Sequence, residues 1–137
     1  NGVDDILSKE EWGGGTGRGI SLRLEDRRPE VNFGSGPEWL TLRAPQPAET
    51  GKWMHLVGVY DGEHQALFID GVEVSSMACS KAISVSPQPI RIGRGPFAQE
   101  RRFKGIIDEV ALFDLALTAE EIRLTHQLGS GGKPLSK

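Results

Sequence analysis

The sequence predicts an all-β protein, an antiparallel two-sheet sandwich with one short C-terminal helix. Short alternating or continuous apolar segments are separated by glycine- and proline-rich turns, a pattern typical of antiparallel sandwiches. A helix signal occurs once, over 118–128. There Thr118 and Glu121 have capping-box spacing, Leu117 and Ile122 are spaced as a hydrophobic staple, and Gly129 follows as a stop.

The N-terminal third contains four segments with strand patterns. Alternation is clearest where Ile20, Leu22 and Leu24 share one face and polar residues the other. The glycine-rich segment 10–19 is predicted to be a flexible loop that carries Trp12. The predicted strands of this region are 4–9, 20–25, 30–33 and 38–43.

The centre of the chain has the strongest strand signal. Segment 52–60 is apolar on both faces, as expected for the central strand of a covered sheet. Asp61-Gly62 and Asp70-Gly71 are turn dipeptides, so 66–69 and 72–75 are expected to complete a three-stranded meander. Two further short strands are predicted at 83–85 and 90–92.

Segment 103–113 is predicted to be a long strand that leads into the helix. Successive strand residues point to opposite faces, so Ile106, Asp108, Val110 and Leu112 would share one face. Asp108 would then lie among aliphatic side chains, where an unpaired carboxylate is costly. It is therefore expected to have hydrogen-bond donors, a cationic partner or a metal.

Composition excludes several functional classes. The chain has 137 residues and a net charge of −3, with basic residues dispersed among acidic ones, which argues against nucleic-acid binding. No apolar run is long enough for a membrane span, so membrane insertion is not expected. The single Cys79 excludes an intramolecular disulfide and a cysteine zinc site.

Three segments together resemble a known family: GKWMHLVGVYDG, ALFIDGVEVSS and FKGIIDEVALFDLALTAEEI. In order and spacing they are similar to laminin-G-like, concanavalin A-like jelly-roll domains of the bacterial LamG type. The resemblance implies a jelly-roll domain over 1–129, followed by a polar tail or linker over 130–137. It also implies a larger exported bacterial protein located extracellularly, at the cell surface or in the periplasm.

The family usually has an additional N-terminal strand region that the sequence does not contain, so the domain is expected to be N-terminally incomplete. An open sheet edge near Ile6 would follow, and with it a possible homodimer formed through strand pairing.

The resemblance also implies a possible structural calcium ion. In related jelly rolls, the aspartate of the final strand, here Asp108, can bind calcium together with backbone carbonyls. Calcium accepts such mixed oxygen ligands. The alternative is that Asp108 accepts hydrogen bonds from backbone N–H groups and fixes the sheet register.

Exposed aromatic rings would be the candidates for ligand binding. Trp12 lies in the predicted loop, Trp39 on the polar face of its strand, and Phe97 in the loop 93–102. Arg94 in the same loop could bind an acidic sugar. The alternative is that these rings cover the edge of a core and the arginine is solvated. Trp53 is predicted to be a core residue or part of the family scaffold.

The function predicted from these observations is a non-catalytic recognition or adhesion module for carbohydrate or protein. A purely architectural domain without a ligand is the alternative. A glycoside hydrolase is disfavoured because adjacent strand residues such as Asp108 and Glu109 face opposite sides and cannot flank one bond.

Overall fold

The computed structural model describes residues 2–13, 16–96 and 101–132, which form two antiparallel sheets and one helix. The five-stranded sheet has the order β4-β3-β2-β1-β8, and the three-stranded sheet has the order β5-β6-β7. The elements are β1 (Val3–Gly13), β2 (Thr16–Glu25), β3 (Arg28–Gly36), β4 (Trp39–Arg43), β5 (Leu56–Tyr60), β6 (His64–Ile69), β7 (Val72–Ala78), β8 (Arg91–Ile92) and α1 (Ala119–Ser130). The predicted fold class is confirmed.

The core lies between the two sheets. Strands β2, β3 and β4 contribute aliphatic and aromatic side chains from alternate positions, which is why the alternation in the sequence identified one buried face. Leu67 of β6 is completely buried against this face. The buried cluster comprises Val31, Phe33, Leu40, Leu42, Ala44 and Leu67.

Two hairpins turn through residues with left-handed backbone conformation. Asp70 and Gly71, with φ of 51° and 81°, join β6 to β7 as the Asp-Gly pair predicted. Asp26 and Arg27, with φ of 49° and 65°, join β2 to β3 in the same way without a glycine. The predicted meander of β5, β6 and β7 is confirmed.

Strands β1 and β2 form a longer hairpin than expected. Trp12 pairs with Gly17, and Gly13 with Thr16, so the ladder continues into the segment predicted to be a flexible loop. That prediction was wrong for Trp12, which lies in β1. Glycine content indicated a loop, but here glycine provides space on a sheet face, as described below.

Strand β5 is shorter and more exposed than expected. Only Leu56–Tyr60 is extended, and all five residues are half-buried. β5 is the terminal strand of its sheet among the described residues, so the prediction of a central strand covered on both faces was wrong. The apolar residues on both faces of β5 border a cleft. They are not covered by further structure on each face.

Segment 103–117 contains no strand, so the prediction of a long strand from 103 to 113 was wrong. Ile106 is 76% exposed, and Glu109 has a φ of 54°, which breaks an extended run. The segment lines a cleft of about 920 Å³ together with residues of both sheets. Its alternating pattern has no ladder partner here.

Helix α1 begins as predicted and ends two residues later than predicted. The Thr118 side chain accepts from the Glu121 N–H, and the Glu121 carboxylate accepts from the Thr118 N–H, which completes the capping box. Ile122 is fully buried and anchors the helix. The cap is Gly131 rather than Gly129, and the left-handed residue is Gly132. In the described ranges no helix has the length and apolarity that crossing a membrane requires.

The sheet edge at Ile6 is not open. β8 pairs with Leu7 and Ser8, and the Gly93 N–H donates to the Ile6 carbonyl at 2.8 Å. The expectation of an open edge near Ile6 was therefore wrong, because a segment almost ninety residues away in the sequence covers it. Long-range pairing of this kind has no local sequence signal.

A buried ion-pair row crosses β2, β3 and β4. The Glu30 side chain is fully buried, and its Oε1 accepts from the Arg23 Nε–H at 2.9 Å. Its Oε2 pairs with Arg43 on the other neighbouring strand. The row lies on the face opposite the core and fixes the three strands in one register.

We predict that Glu30→Ala lowers the free energy of unfolding by about 3 kcal/mol or more, because two guanidinium groups lose their buried partner. Urea unfolding followed by circular dichroism measures the change. Glu73→Ala, at an exposed position of β7, is the control and is expected to cost less than about 0.5 kcal/mol. Equal losses for the two variants would contradict the role given to Glu30.

Candidate functional site

Two tryptophans stack on the face of the five-stranded sheet that points away from the core. The rings of Trp12 and Trp39 have centroids 4.7 Å apart and planes inclined by 30°. Trp12 is 40% exposed, and Trp39 is half-buried beneath it. The structure thus brings together two of the residues predicted for ligand binding, and we call them the tryptophan pair.

Glycines on the intervening strands allow the two rings to meet. Trp12 is on β1 and Trp39 is on β4, so β2 and β3 lie between them. A Cβ at Gly17 would be 2.5 Å from Trp39 Nε1, closer than real Cβ atoms come to a neighbouring atom. Gly17 therefore leaves the space that the Trp39 indole occupies, and Gly34 allows β3 to come close to the Gly17 backbone.

The same sheet face carries two buried carboxylates. Glu10 is two residues before Trp12 on β1, and both Glu10 and Asp5 are 0% exposed. Arg101 donates from one terminal nitrogen to Asp5 Oδ1 at 2.7 Å and to Glu10 Oε1 at 2.9 Å. These three groups carry one net negative charge, and Glu10 Oε2 accepts no hydrogen bond from the described residues.

Burial dominates the ionisation of Asp5. Loss of hydration raises its pKa from 3.8 to about 6, against the opposing attraction of the Arg101 guanidinium, while Glu10 adds to the increase. The backbone of the loop after β8 lies directly on this carboxylate. A Cβ at Gly95 would overlap Asp5 Oδ2, so only glycine fits there.

We predict that Asp5 makes the protein more stable as the pH falls. Between pH 6 and 3.8 the folded state keeps the Asp5 carboxyl protonated and the unfolded state does not. The stabilisation from this proton is complete below pH 3.8 and is lost as the pH rises through 6. Between pH 7 and 4 the free energy of unfolding of the wild type should rise by roughly 3 kcal/mol at most relative to that of Asp5→Asn. Urea unfolding at a series of pH values measures this difference. If the free energies of unfolding of the two proteins changed by the same amount with pH, the raised pKa of Asp5 would be contradicted.

The remaining predicted ligand residues are only partly placed. Arg94 is exposed, and its carbonyl accepts from the Ser8 hydroxyl at 3.0 Å, so it lies beside β1 on the edge away from β4. Phe97 lies outside the described residues.

The structure does not place Asp108 in the apolar environment that was predicted. Asp108 is exposed, and its Oδ1 accepts from the adjacent Glu109 N–H at 2.9 Å. Among the described residues no group of three or more His, Cys, Asp or Glu side chains could hold a metal ion. These exposed surroundings do not fit a calcium site. Calcium binding stays a prediction.

Trp53 is the clearest error among the aromatic predictions. It was expected in the core but is 69% exposed. It follows the loop after β4 and precedes the shortened β5, so its ring is not covered by either sheet. The exposed ring adjoins a second pocket, which is described below.

Two histidines stack between α1 and the β5 end of the three-stranded sheet. The rings of His55 and His126 have centroids 5.6 Å apart. Burial lowers the pKa of His55, the His126 charge lowers it further, and Asp70 opposes the effect. The His55 N–H donates to Asp70 Oδ1 at 2.9 Å, which ties the pair to the β6–β7 turn.

We predict that His55 destabilises the fold in acid. Its pKa is lower in the folded state, so its contribution is present above pH 6.5 and is lost as pH falls through the folded value. His126→Gln removes one of the two causes and should reduce the loss of unfolding free energy between pH 7 and 5. An unchanged loss in the variant would show that the paired rings do not interact in this way.

The sequence reasoning did not identify Asp5, Glu10 and Arg101 as a cluster. Asp5 and Arg101 are 96 residues apart, and neither lies in a recognisable motif. No local signal in the sequence joins these three residues.

Comparison with known proteins identifies a family. The family model of the concanavalin A-like lectin/glucanases superfamily matches residues 3–123. No curated protein matches the chain.

Solved structures share the fold at low sequence identity. A candidate carbohydrate binding protein from Bacteroides ovatus has a TM-score of 0.69 and 21% identity, covering 88% of this chain. A native heptameric SAP-like pentraxin from Limulus polyphemus has a TM-score of 0.65 and 18% identity, covering 91% of this chain. An S-layer domain-containing protein from Clostridium thermocellum has a TM-score of 0.48 and 17% identity, covering 90%. The chain spans 35%, 63% and 63% of those three chains.

Proposed function

Since this chain belongs to the concanavalin A-like lectin/glucanases superfamily, we propose that it is a non-catalytic recognition module that binds carbohydrate through the tryptophan pair. The observation that carries the proposal is the stacking of Trp12 on Trp39, with 40% of Trp12 still exposed. A flat aromatic surface held in place by a rigid sheet suits the C–H face of a sugar ring. The similar protein from Bacteroides ovatus, a candidate for carbohydrate binding, agrees with this class of ligand.

Preorganisation supports the choice of this surface. Trp12 is fixed on its inner side by Trp39, and the Trp39 ring packs directly over Gly17. A ligand that stacks on the outer side of Trp12 therefore orders no side chain that is free beforehand, which lowers the entropic cost of binding. The exposed ring loses water-accessible apolar surface at the same time.

Catalysis is not part of the proposal. Three buried carboxylates lie on the face of the tryptophan pair: Asp5 and Glu10 share Arg101, and Glu30 is paired with Arg23 and Arg43. A general acid and its partner must reach a glycosidic bond from solvent, separated by about 5–10 Å on either side of it. Asp108 and Glu109 lie on the exposed irregular segment and are no substitute. A reducing-sugar assay on the candidate glycans tests this point.

We also propose a location for the module. Membership of this superfamily agrees with an extracellular or cell-surface location. A purely architectural role remains the alternative, in which the tryptophan pair only covers the sheet. A protein ligand would be another form of recognition.

We predict that Trp12→Ala weakens glycan binding by tenfold or more, equivalent to about 1.4 kcal/mol or more, because the exposed stacking surface is lost. The melting temperature should change little, since Trp12 is not in the core. A glycan array selects the ligand, and isothermal titration calorimetry measures the affinity.

Phe113→Ala is the control, because it also removes a ring that is about half exposed, at a position away from the tryptophan pair. Its affinity should equal that of wild type. Undiminished binding by Trp12→Ala would contradict the assigned surface. An array without any bound glycan would favour the architectural alternative.

A further inference from the structure

A second pocket lies at the far end of β4 from the tryptophan pair. Its volume is about 290 Å³. Trp39 begins β4 and Ala44 follows its end, so the pocket starts five residues, roughly 17 Å, along the strand. One sugar ring cannot contact both places. The pocket is lined chiefly by Pro45, Pro47, Trp53, Met54, Ile69 and Val74.

Trp53 is the unusual residue of this pocket. Its ring is 69% exposed, although tryptophan is among the side chains that gain most from burial. The lining beside it includes the apolar side chains of Pro45, Pro47 and Val74. An indole held open beside a concave apolar wall suits a ligand with a flat C–H surface.

The charged residues of the pocket have both signs. Glu49 and Lys52 form an ion pair with each other, and both are about two-thirds exposed. Asp70 contributes a further carboxylate, of which Oδ1 already accepts from the His55 N–H. Carboxylate acceptors and an ammonium donor together suit hydroxyl groups, which both donate and accept. A strongly charged ligand would meet a like charge at one of these positions.

We propose that this pocket, referred to below as the Trp53 pocket, is a second carbohydrate subsite that takes a neutral pyranose ring. The ring would stack on Trp53 and place its hydroxyls toward Glu49, Lys52 and Asp70. The volume is at the lower end of the ~300–1,000 Å³ typical of small-molecule sites, which suits a short terminal unit. The inference rests on the proposed carbohydrate function but not on the tryptophan pair as its site.

The chain has three tryptophans, so indole N–H resonances separate the two sites. Trp12→Phe, Trp39→Phe and Trp53→Phe each remove one signal from a proton–nitrogen correlation spectrum and thereby assign all three. The probes are neutral oligosaccharides of one to six residues built from glucose, mannose, galactose or xylose, titrated into the wild-type protein. A saturable shift of the Trp53 signal is the expected result.

A second variant connects the shift to the polar contacts. Glu49→Gln removes an exposed carboxylate and its ion pair with Lys52. Exposed ion pairs contribute little to stability, so folding should be unaffected. We expect Glu49→Gln to raise the Kd obtained from the Trp53 shift by roughly fivefold, about the value of one hydrogen bond. The Kd obtained from the Trp12 shift should be unchanged.

The outcomes distinguish the two proposals. A shift of Trp12 with Trp53 unmoved overturns the second subsite and leaves the proposed function standing. A shift of Trp53 alone supports the Trp53 pocket and overturns the tryptophan pair as the binding surface. If neither signal moves with any probe, the carbohydrate function fails and the second subsite fails with it.

Discussion

The register of the five-stranded sheet is the constraint on which the other features depend. Side chains alternate between faces, so one register places Val31, Phe33 and Leu42 in the core, and a shift of one residue would turn them to solvent. The buried Arg23–Glu30–Arg43 row joins three strands and opposes such a shift. The face that carries this row also carries the tryptophan pair, so the interactions that fix the core also position the candidate ligand surface.

The predictable parts of the fold are those encoded locally. The capping box of α1, the Asp70-Gly71 hairpin and the alternation of β2 and β4 each depend on residues a few positions apart, and the structure has all of them. The Asp5–Arg101 pair and the cover of β8 on β1 join residues about 85–96 positions apart. Charge and apolarity at one position do not indicate which distant residue will be its partner.

Segment 103–117 shows the limit of periodicity. Its alternating residues favour a strand, yet a strand also needs a partner for its backbone hydrogen-bonding groups, and segment 103–117 forms no ladder with any described strand. The exposure of Trp53 and the half-burial of β5 have the same origin, because both border the cleft that this segment lines. Of the residues predicted as ligands, Trp12 and Trp39 converge because Gly17, on an intervening strand, leaves room for the Trp39 ring. The position of this glycine under the ring is known only once the strands are paired.

Helix α1 has a consequence for the dynamics of the domain. Ile122 is its only fully buried residue, and its other contacts with the sheets involve mainly β7 and the His55 ring. A segment attached at so few points can detach while both sheets stay folded, as a separate cooperative unit. Its amide protons would then exchange with solvent long before those of β2 and β3. Helix α1 would gain and lose its attachment to the sheets without any change at the tryptophan pair.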